Sequence, residues 1–230
     1  MNDKLFSGGE ISIGLEYELV KEEFYAKYSS FLVRESSDKI AILDTETNWD
    51  DHVMTIGIAI ADINDYSYID GAYYILEPEV RVGGMYSDRI DIKREDSPIY
   101  STYLANRRTC IANIMTFLYK YNVNSIFAYN ALFDYKHLYE LREYEWFDIM
   151  KIASNRNFNS FIPCYTDCYK TGKMKSGYGV EKMIRMVTGD SSYFETHNAI
   201  YDAIDELEIM RQLGLDIDVY YLQARLNVGN

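Results

Sequence analysis

The stretch IAILDTE at positions 40–46 carries four apolar residues and then sets two carboxylates, Asp44 and Glu46, within three positions. On a strand those two side chains point to the same face. Like charges side by side at the end of a buried strand repel each other, and burying them unpaired raises their pKa values or destabilises the fold. Two arrangements remove the difficulty: a divalent cation held between them, or exposure as loop acids in surface salt bridges. Convergence of further carboxylates on the same place would decide for the cation.

Two other acids are candidates. Asn130 follows the strand-like SIFAY at 125–129 and is a good N-cap, which puts Asp134 at the fourth position of a helix, near its positive end. An acid there is also an ordinary helix-dipole partner. In ETHNAIYDAIDEL, Asp202 lies in line with Ile209 and close to Ala199, on the stripe that should face the core. A carboxylate on an apolar stripe needs a partner. His197, five residues earlier, would be about 140° away round a helix, so the spacing predicts that it sits in the loop or first turn before it, approaching from another side.

The elements that must position these residues are legible in outline. Leu15 to Leu32 has roughly helical apolar spacing and reads as an amphipathic N-terminal helix. Three β-like runs follow, KIAILDT, VMTIGIAIAD and SYIDGAYYILEP. The second alternates large Met54, Ile56, Ile58 and Ile60 with small Thr55, Gly57, Ala59 and Ala61, leaving one face open for close packing. The turn-prone Asn64-Asp65 link predicts that the second and third runs are antiparallel neighbours. Residues 77–100 read as an irregular insertion, and the pattern from Leu104 to Tyr121 as a helix. SIFAY and WFDI read as short strands, with helices over NALFDYKHLYEL at 130–141 and at about 179–187, 198–213 and 217–227. Three strands followed by helices alternating with two more predict an α/β domain with a mixed five-stranded sheet.

The chain of 230 residues, 48% of them hydrophobic, is ample for a sizeable core. It contains neither a signal-peptide pattern nor 18 consecutive apolar residues, so a soluble, cytoplasmic protein with no membrane partner is expected. Cys110, Cys164 and Cys168 are too few for a disulfide framework, and CYTDC lacks a second ligand pair for structural zinc, which leaves three reduced thiols. With 36 acids against 23 bases the net charge is −13, which argues against broad electrostatic capture of duplex nucleic acid. Any phosphate handled by such a surface needs a metal cation.

DTE at 44–46 after an apolar strand, FAYNALFDYKHL at 127–138 and HNAIYDAIDE at 197–206 together resemble, in order and spacing, the three motifs of the DEDDh branch of DnaQ-like 3′-to-5′ exonucleases. The resemblance spans roughly residues 40 to 213. It implies a ribonuclease H-like fold, in which an exonuclease domain at 40–215 carries an added helical extension at 1–39 and a C-terminal helix at 216–230 packed on it. Carried over position by position, the metal-binding acids would be Asp44, Glu46, Asp134 and Asp202, around two divalent ions, Mg²⁺ or Mn²⁺, and His197 would be the general base. Thr45, Thr47, Trp49, Asn130 and Phe133, which flank the motifs, are the expected substrate contacts, the two aromatic rings by stacking on a terminal base. Asp148 in WFDI is expected to order the neighbouring chain.

There are departures from the family pattern. Thr47 is followed by Asn48-Trp49-Asp50-Asp51 where a threonine and a glycine are usual, and Tyr129 stands where histidine often precedes the asparagine. Neither removes a catalytic group. Lys170, Lys173 and Lys175 form a cationic cluster that reads first as a solvated loop and second as a phosphate contact. The resemblance implies a metal-dependent 3′-to-5′ exonuclease that acts on single-stranded or short RNA or DNA and releases nucleoside 5′-monophosphates. The alternative is a non-catalytic module of the same fold that binds nucleic-acid ends. A homodimer is a candidate assembly.

Overall fold

The computed structural model describes residues 37–227. The predicted helix at 15–32, and with it nearly all of the 1–39 extension, lies outside them. The elements are β1 (Lys39–Thr47), β2 (Val53–Asp62), β3 (Tyr68–Glu77), α1 (Glu79–Val82), β4 (Ser101–Asn106), α2 (Arg107–Lys120), β5 (Ser125–Ala128), α3 (Leu132–His137), β6 (Glu145–Asp148), α4 (Ile149–Ala153), α5 (Val180–Thr188), α6 (Ala199–Leu213) and α7 (Ile217–Gln223).

They form one sheet in the order β4-β3-β2-β1-β5-β6. The β1–β2 and β2–β3 pairs are antiparallel, as the short Asn64-Asp65 turn requires. The β1–β5, β5–β6 and β3–β4 pairs are parallel. The α/β mixed sheet flanked by helices is the architecture expected, with six strands where five were predicted.

The sixth is β4. Residues 104–106, read from the sequence as the start of a helix, instead finish a strand paired along β3, and Asn106 caps α2 by accepting the Thr109 N–H at 2.9 Å. At the sheet's margin β4 buries almost nothing, and Leu104 is largely exposed. It therefore has no apolar alternation, and ladder pairing decides its conformation over local pattern. The 77–100 segment likewise contains α1 and a 3₁₀ turn, Ser87–Arg89, and is not wholly irregular.

The period of two in the central strands sorts residues onto two apolar layers. Ala41, Leu43, Ile56, Ile58 and Ile60 pack with Ile111, Ile114 and Leu118 of α2. Ile40, Ile42, Ala59 and Ala61 face α5 and α6 through Met183, Ile184, Leu207 and Met210. α7 closes the second layer with Tyr220, which meets Phe127 edge-on at 5.9 Å. The small residues of β2 let α6 come close: a methyl group built on Gly57 would lie 2.1 Å from the carbonyl carbon of Ala199. Cys110, Cys164 and Cys168 are unpaired thiols, and no helix among the described residues is long and apolar enough to cross a membrane.

Candidate active site

Asp44 and Glu46 end β1 on the face that α6 covers. Asp44 stands opposite Gly57 and Glu46 opposite Thr55 in the antiparallel register, and a bulge after Glu46 breaks that register before the 48–52 loop. Bulges of this kind re-aim a strand end beside a site. The loop is built by Asn48, a buried residue whose side-chain carbonyl accepts the N–H groups of Asp50 and His52, each at 3.0 Å, while its Nδ2 donates to the Glu79 carbonyl at 3.0 Å. This carboxamide holds the turn.

Asp134 lies in the first turn of α3 and Asp202 in the first turn of α6, both buried. Each helix directs the positive end of its dipole at its own carboxylate. Thr45 is buried on the opposite face of β1 from Asp44, and its hydroxyl donates to Asp134 Oδ1 at 2.7 Å. The α3 helix starts one residue later than the sequence suggested. Its N-cap position is Ala131, and Asn130 instead adopts φ +65° and donates its N–H to Asp148 Oδ1 at 3.1 Å. Asp148 also accepts the Met150 N–H at 3.0 Å, so it orders the chain leaving both β5 and β6.

His197 sits in the loop two residues before α6 with φ +53°. One ligand atom from each of Glu46, His197 and Asp202 lies within 4.8 Å of the others. The imidazole is stacked face to face with Tyr86, ring centroids 4.0 Å apart and planes 12° from parallel. Its Nδ1 is 3.9 Å from Glu195 Oε1. Burial, and secondarily the Arg89 charge, hold its pKa below the ordinary 6.5, so the ring is neutral at pH 7.

Two acids join the cluster that the motifs had not singled out. Glu206 is buried and accepts the Tyr129 N–H at 3.0 Å. It follows Asp202 by four positions on α6, so helical periodicity would have found it. Glu195 comes from the irregular loop before α6, and no sequence signal marks it.

The electrostatics of the group are those of crowded anions. Asp44 is held well above the usual carboxylate range by burial first, then by Glu206, Asp202, Asp134 and Glu46. Glu46 is pushed up to about 8 by burial and by Glu195 and Asp134. Asp134 is pushed up to about 7 by burial, with the Thr45 hydroxyl opposing. Asp202 and Glu206 are raised likewise, again chiefly by burial. Every charge raising Asp44 is another carboxylate. By contrast Asp205, on the next face of α6, is paired with Arg94, whose Nη1 donates to both carboxylate oxygens at 2.9 and 2.8 Å.

Asp44 Oδ2 and Asp202 Oδ1 are buried without a hydrogen-bond partner. Orphaned carboxylate oxygens among like charges are the donor set of a hard divalent cation, which takes oxygen ligands. The residues present fit such an ion.

Around this group lie the remaining predicted contacts. Trp49 is 67% exposed and Phe133 38%, both on segments flanking the acids, and Thr47 is half-buried at the bulge. Lys175 is paired with Asp167 at 3.0 Å, while Lys173 lies over the Tyr178 ring at 5.4 Å, on a cavity-forming loop that reaches Glu195.

The chain matches no protein-family model and no curated protein sequence. Among solved structures it is similar to a 3′-exonuclease in 3′-end-specific recognition of a histone mRNA stem-loop, at 13% identity and TM-score 0.55, over 92% of this chain and 87% of that one. It is similar to a full-length 3′-exonuclease at 13% identity and TM-score 0.55, over 79% and 85%. It is also similar to the nuclease domain of 3′hExo, a DEDDh family member bound to rAMP, at 11% identity and TM-score 0.56, over 85% and 99%. At these identities the likeness is one of fold: the chain has the ribonuclease H-like architecture of DEDDh 3′-exonucleases.

Proposed function

We propose that the protein is a metal-dependent 3′-to-5′ exonuclease that hydrolyses the terminal phosphodiester of single-stranded or short nucleic acid and releases nucleoside 5′-monophosphates. One observation supports the reading: carboxylates from three distant chain segments crowd together with orphaned buried oxygens and, among the described residues, no Lys or Arg paired with them, next to the His197 imidazole. A fold designed only for stability has no use for such a group, because buried like charges oppose folding.

Asp44, Glu46, Asp134 and Asp202 would hold two divalent ions, Mg²⁺ or Mn²⁺. When bound, these ions lower the pKa of an attacking water and stabilise the charge growing on the phosphate and the leaving 3′ oxygen. Thr45 fixes Asp134 through its hydroxyl, and Glu206 spends one oxygen on the Tyr129 N–H, which anchors the end of β5 to α6. His197, whose neutral form burial favours, would accept the proton of the attacking water. The exposed Trp49 and Phe133 would offer faces for a terminal base, with Thr47 and Asn130 as further substrate contacts. The catalytic unit would span 40–215, with 216–230 packed on it.

The test is a time course with 5′-labelled single-stranded RNA and DNA of equal sequence, in Mg²⁺, Mn²⁺ or chelator. A ladder shortening from the 3′ end, lost with chelator and in Asp44→Ala, is expected. Binding of ends without turnover would instead identify a non-catalytic module.

A further inference from the structure

The segment between β3 and β4 lies outside the three motifs, yet it is fastened to both halves of the site. At one end Gly84 passes the 48–52 loop so closely that a Cβ there would lie 2.5 Å from the Thr47 carbonyl oxygen, and the Trp49 N–H donates to the Gly83 carbonyl at 2.9 Å. At the other, the buried Asn198 donates through Nδ2 to the carbonyls of Arg89 at 2.8 Å and Ile90 at 3.1 Å. Farther on, Arg94 holds Asp205, and its N–H donates to the Tyr201 hydroxyl at 3.0 Å. Tyr86 lies between these fastenings, and its carbonyl accepts the Arg89 N–H at 2.9 Å. The residue that clamps the segment, Asn198, is the neighbour of the residue that Tyr86 covers, His197.

We infer that Tyr86 is a positioning residue: its ring, stacked 4.0 Å from the His197 imidazole, holds that imidazole beside Glu46 and Asp202. The inference rests on the exonuclease reading, in which His197 takes the proton. His197 occupies a left-handed backbone conformation in a loop, with about a third of its side chain exposed, and its side-chain contact to Glu195 is long, at 3.9 Å. A histidine so placed has rotamers to choose among, and a parallel ring against one face removes most of them. Burial first, and then the charges of Glu46, Glu195 and Asp202, raise the pKa of the Tyr86 hydroxyl. The argument concerns the ring alone, so phenylalanine should serve.

The experiment compares the full chain with Tyr86→Ala, Tyr86→Phe and Tyr86→Leu, the last keeping apolar bulk should the alanine variant lose its fold. Tyr86→Ala should lower kcat by about 10- to 100-fold with KM within about twofold, as expected for a misplaced general base. Tyr86→Phe should stay within about threefold of the parent, since it keeps the ring. In the chelated protein the His197 ring proton resonance, assigned with His197→Ala among three histidines, should be shifted by the tyrosine ring, and should move in Tyr86→Ala and Tyr86→Leu but not in Tyr86→Phe. Full kcat in Tyr86→Ala, an equal loss in Tyr86→Phe, or an unmoved resonance would each overturn the inference. Should the parent chain cut nothing, the exonuclease reading falls, and the resonance still decides whether Tyr86 fixes the imidazole.

Discussion

Gly57 and Ala199 touch backbone to backbone: a methyl group on the glycine would lie 2.1 Å from the helix carbonyl. Gly57 is also the residue opposite Asp44 in the β1–β2 register. The missing side chain therefore sets how close the first turn of α6, with Asp202, can come to the end of β1. Gly57→Ala is expected to push that turn outward, costing about 1–3 kcal/mol of stability by overpacking. Cleavage should fall by at least about tenfold as the carboxylates separate. Urea unfolding with initial rates on the same preparation checks both.

Removing a charge from the cluster should separate function from stability. Asp44→Asn keeps the shape and deletes one of the mutually repelling carboxylates. Turnover is expected to vanish, while the chelated protein at pH 8 becomes more stable, because one of the buried repelling charges is gone. A thermal melt in chelator that shows the variant less stable than the parent would count against the crowded-anion description.

The pH dependence of stability follows from the raised carboxyls. Glu46 at about 8 and Asp134 at about 7 lie above their ordinary 4.5 and 3.8. Between those limits the folded chain binds more protons than the unfolded one, so stability falls as pH rises. The chelated protein should melt highest near pH 4–5 and lose stability progressively up to pH 8. Mg²⁺ or Mn²⁺ should raise the melting temperature more at pH 8 than at pH 6, because metal binding needs ionised carboxylates.

The Thr45 hydroxyl of β1 donates a hydrogen bond to the Asp134 carboxylate of α3. Thr45→Val keeps the volume and removes the donor. A drop of about 10- to 100-fold in Mn²⁺ affinity is expected, the usual effect of losing a group that orients a ligand. Titration calorimetry on the intact chain gives the answer directly, and unchanged affinity would exclude an orienting role.

Trp49 stands 67% exposed at the rim, a place where its ring adds little to the fold. Trp49→Ala should leave the unfolding midpoint within error and weaken binding of a single strand by about 1–3 kcal/mol, the worth of one stacked base. Fluorescence anisotropy with a labelled oligonucleotide measures the change.

Much of this was legible in the chain. β1 and β2 announce themselves as apolar runs because both their faces are covered, with β2 alternating large and small side chains, and α6 by its helical apolar stripe. Asp44, Glu46 and Asp202 stood out as acids placed against apolar faces, while Asp134 and His197 gained weight only from the order and spacing of the three motifs. Glu206 obeys the same helical spacing as Asp202 and could have been read from it. β4 could not, since an exposed margin strand has no buried face to imprint a pattern. Glu195 and Tyr86 belong to segments without periodicity and reach the site only through tertiary packing, which leaves no trace in local sequence.

The parallel pairing of β4 with β3 has a consequence for the architecture of the catalytic centre. Parallel neighbours cannot be joined by a tight hairpin, so the chain leaving Glu77 must travel back the length of the strand before β4 can begin at Ser101. It departs from the end of the sheet where Glu46 lies and returns past Tyr73 and Tyr201 along the α6 side. The crossover thus has to pass the mouth of the carboxylate cluster, and Tyr86 is where it does so. One extra strand at the far border of the sheet is, by topology, what delivers a wall to the histidine.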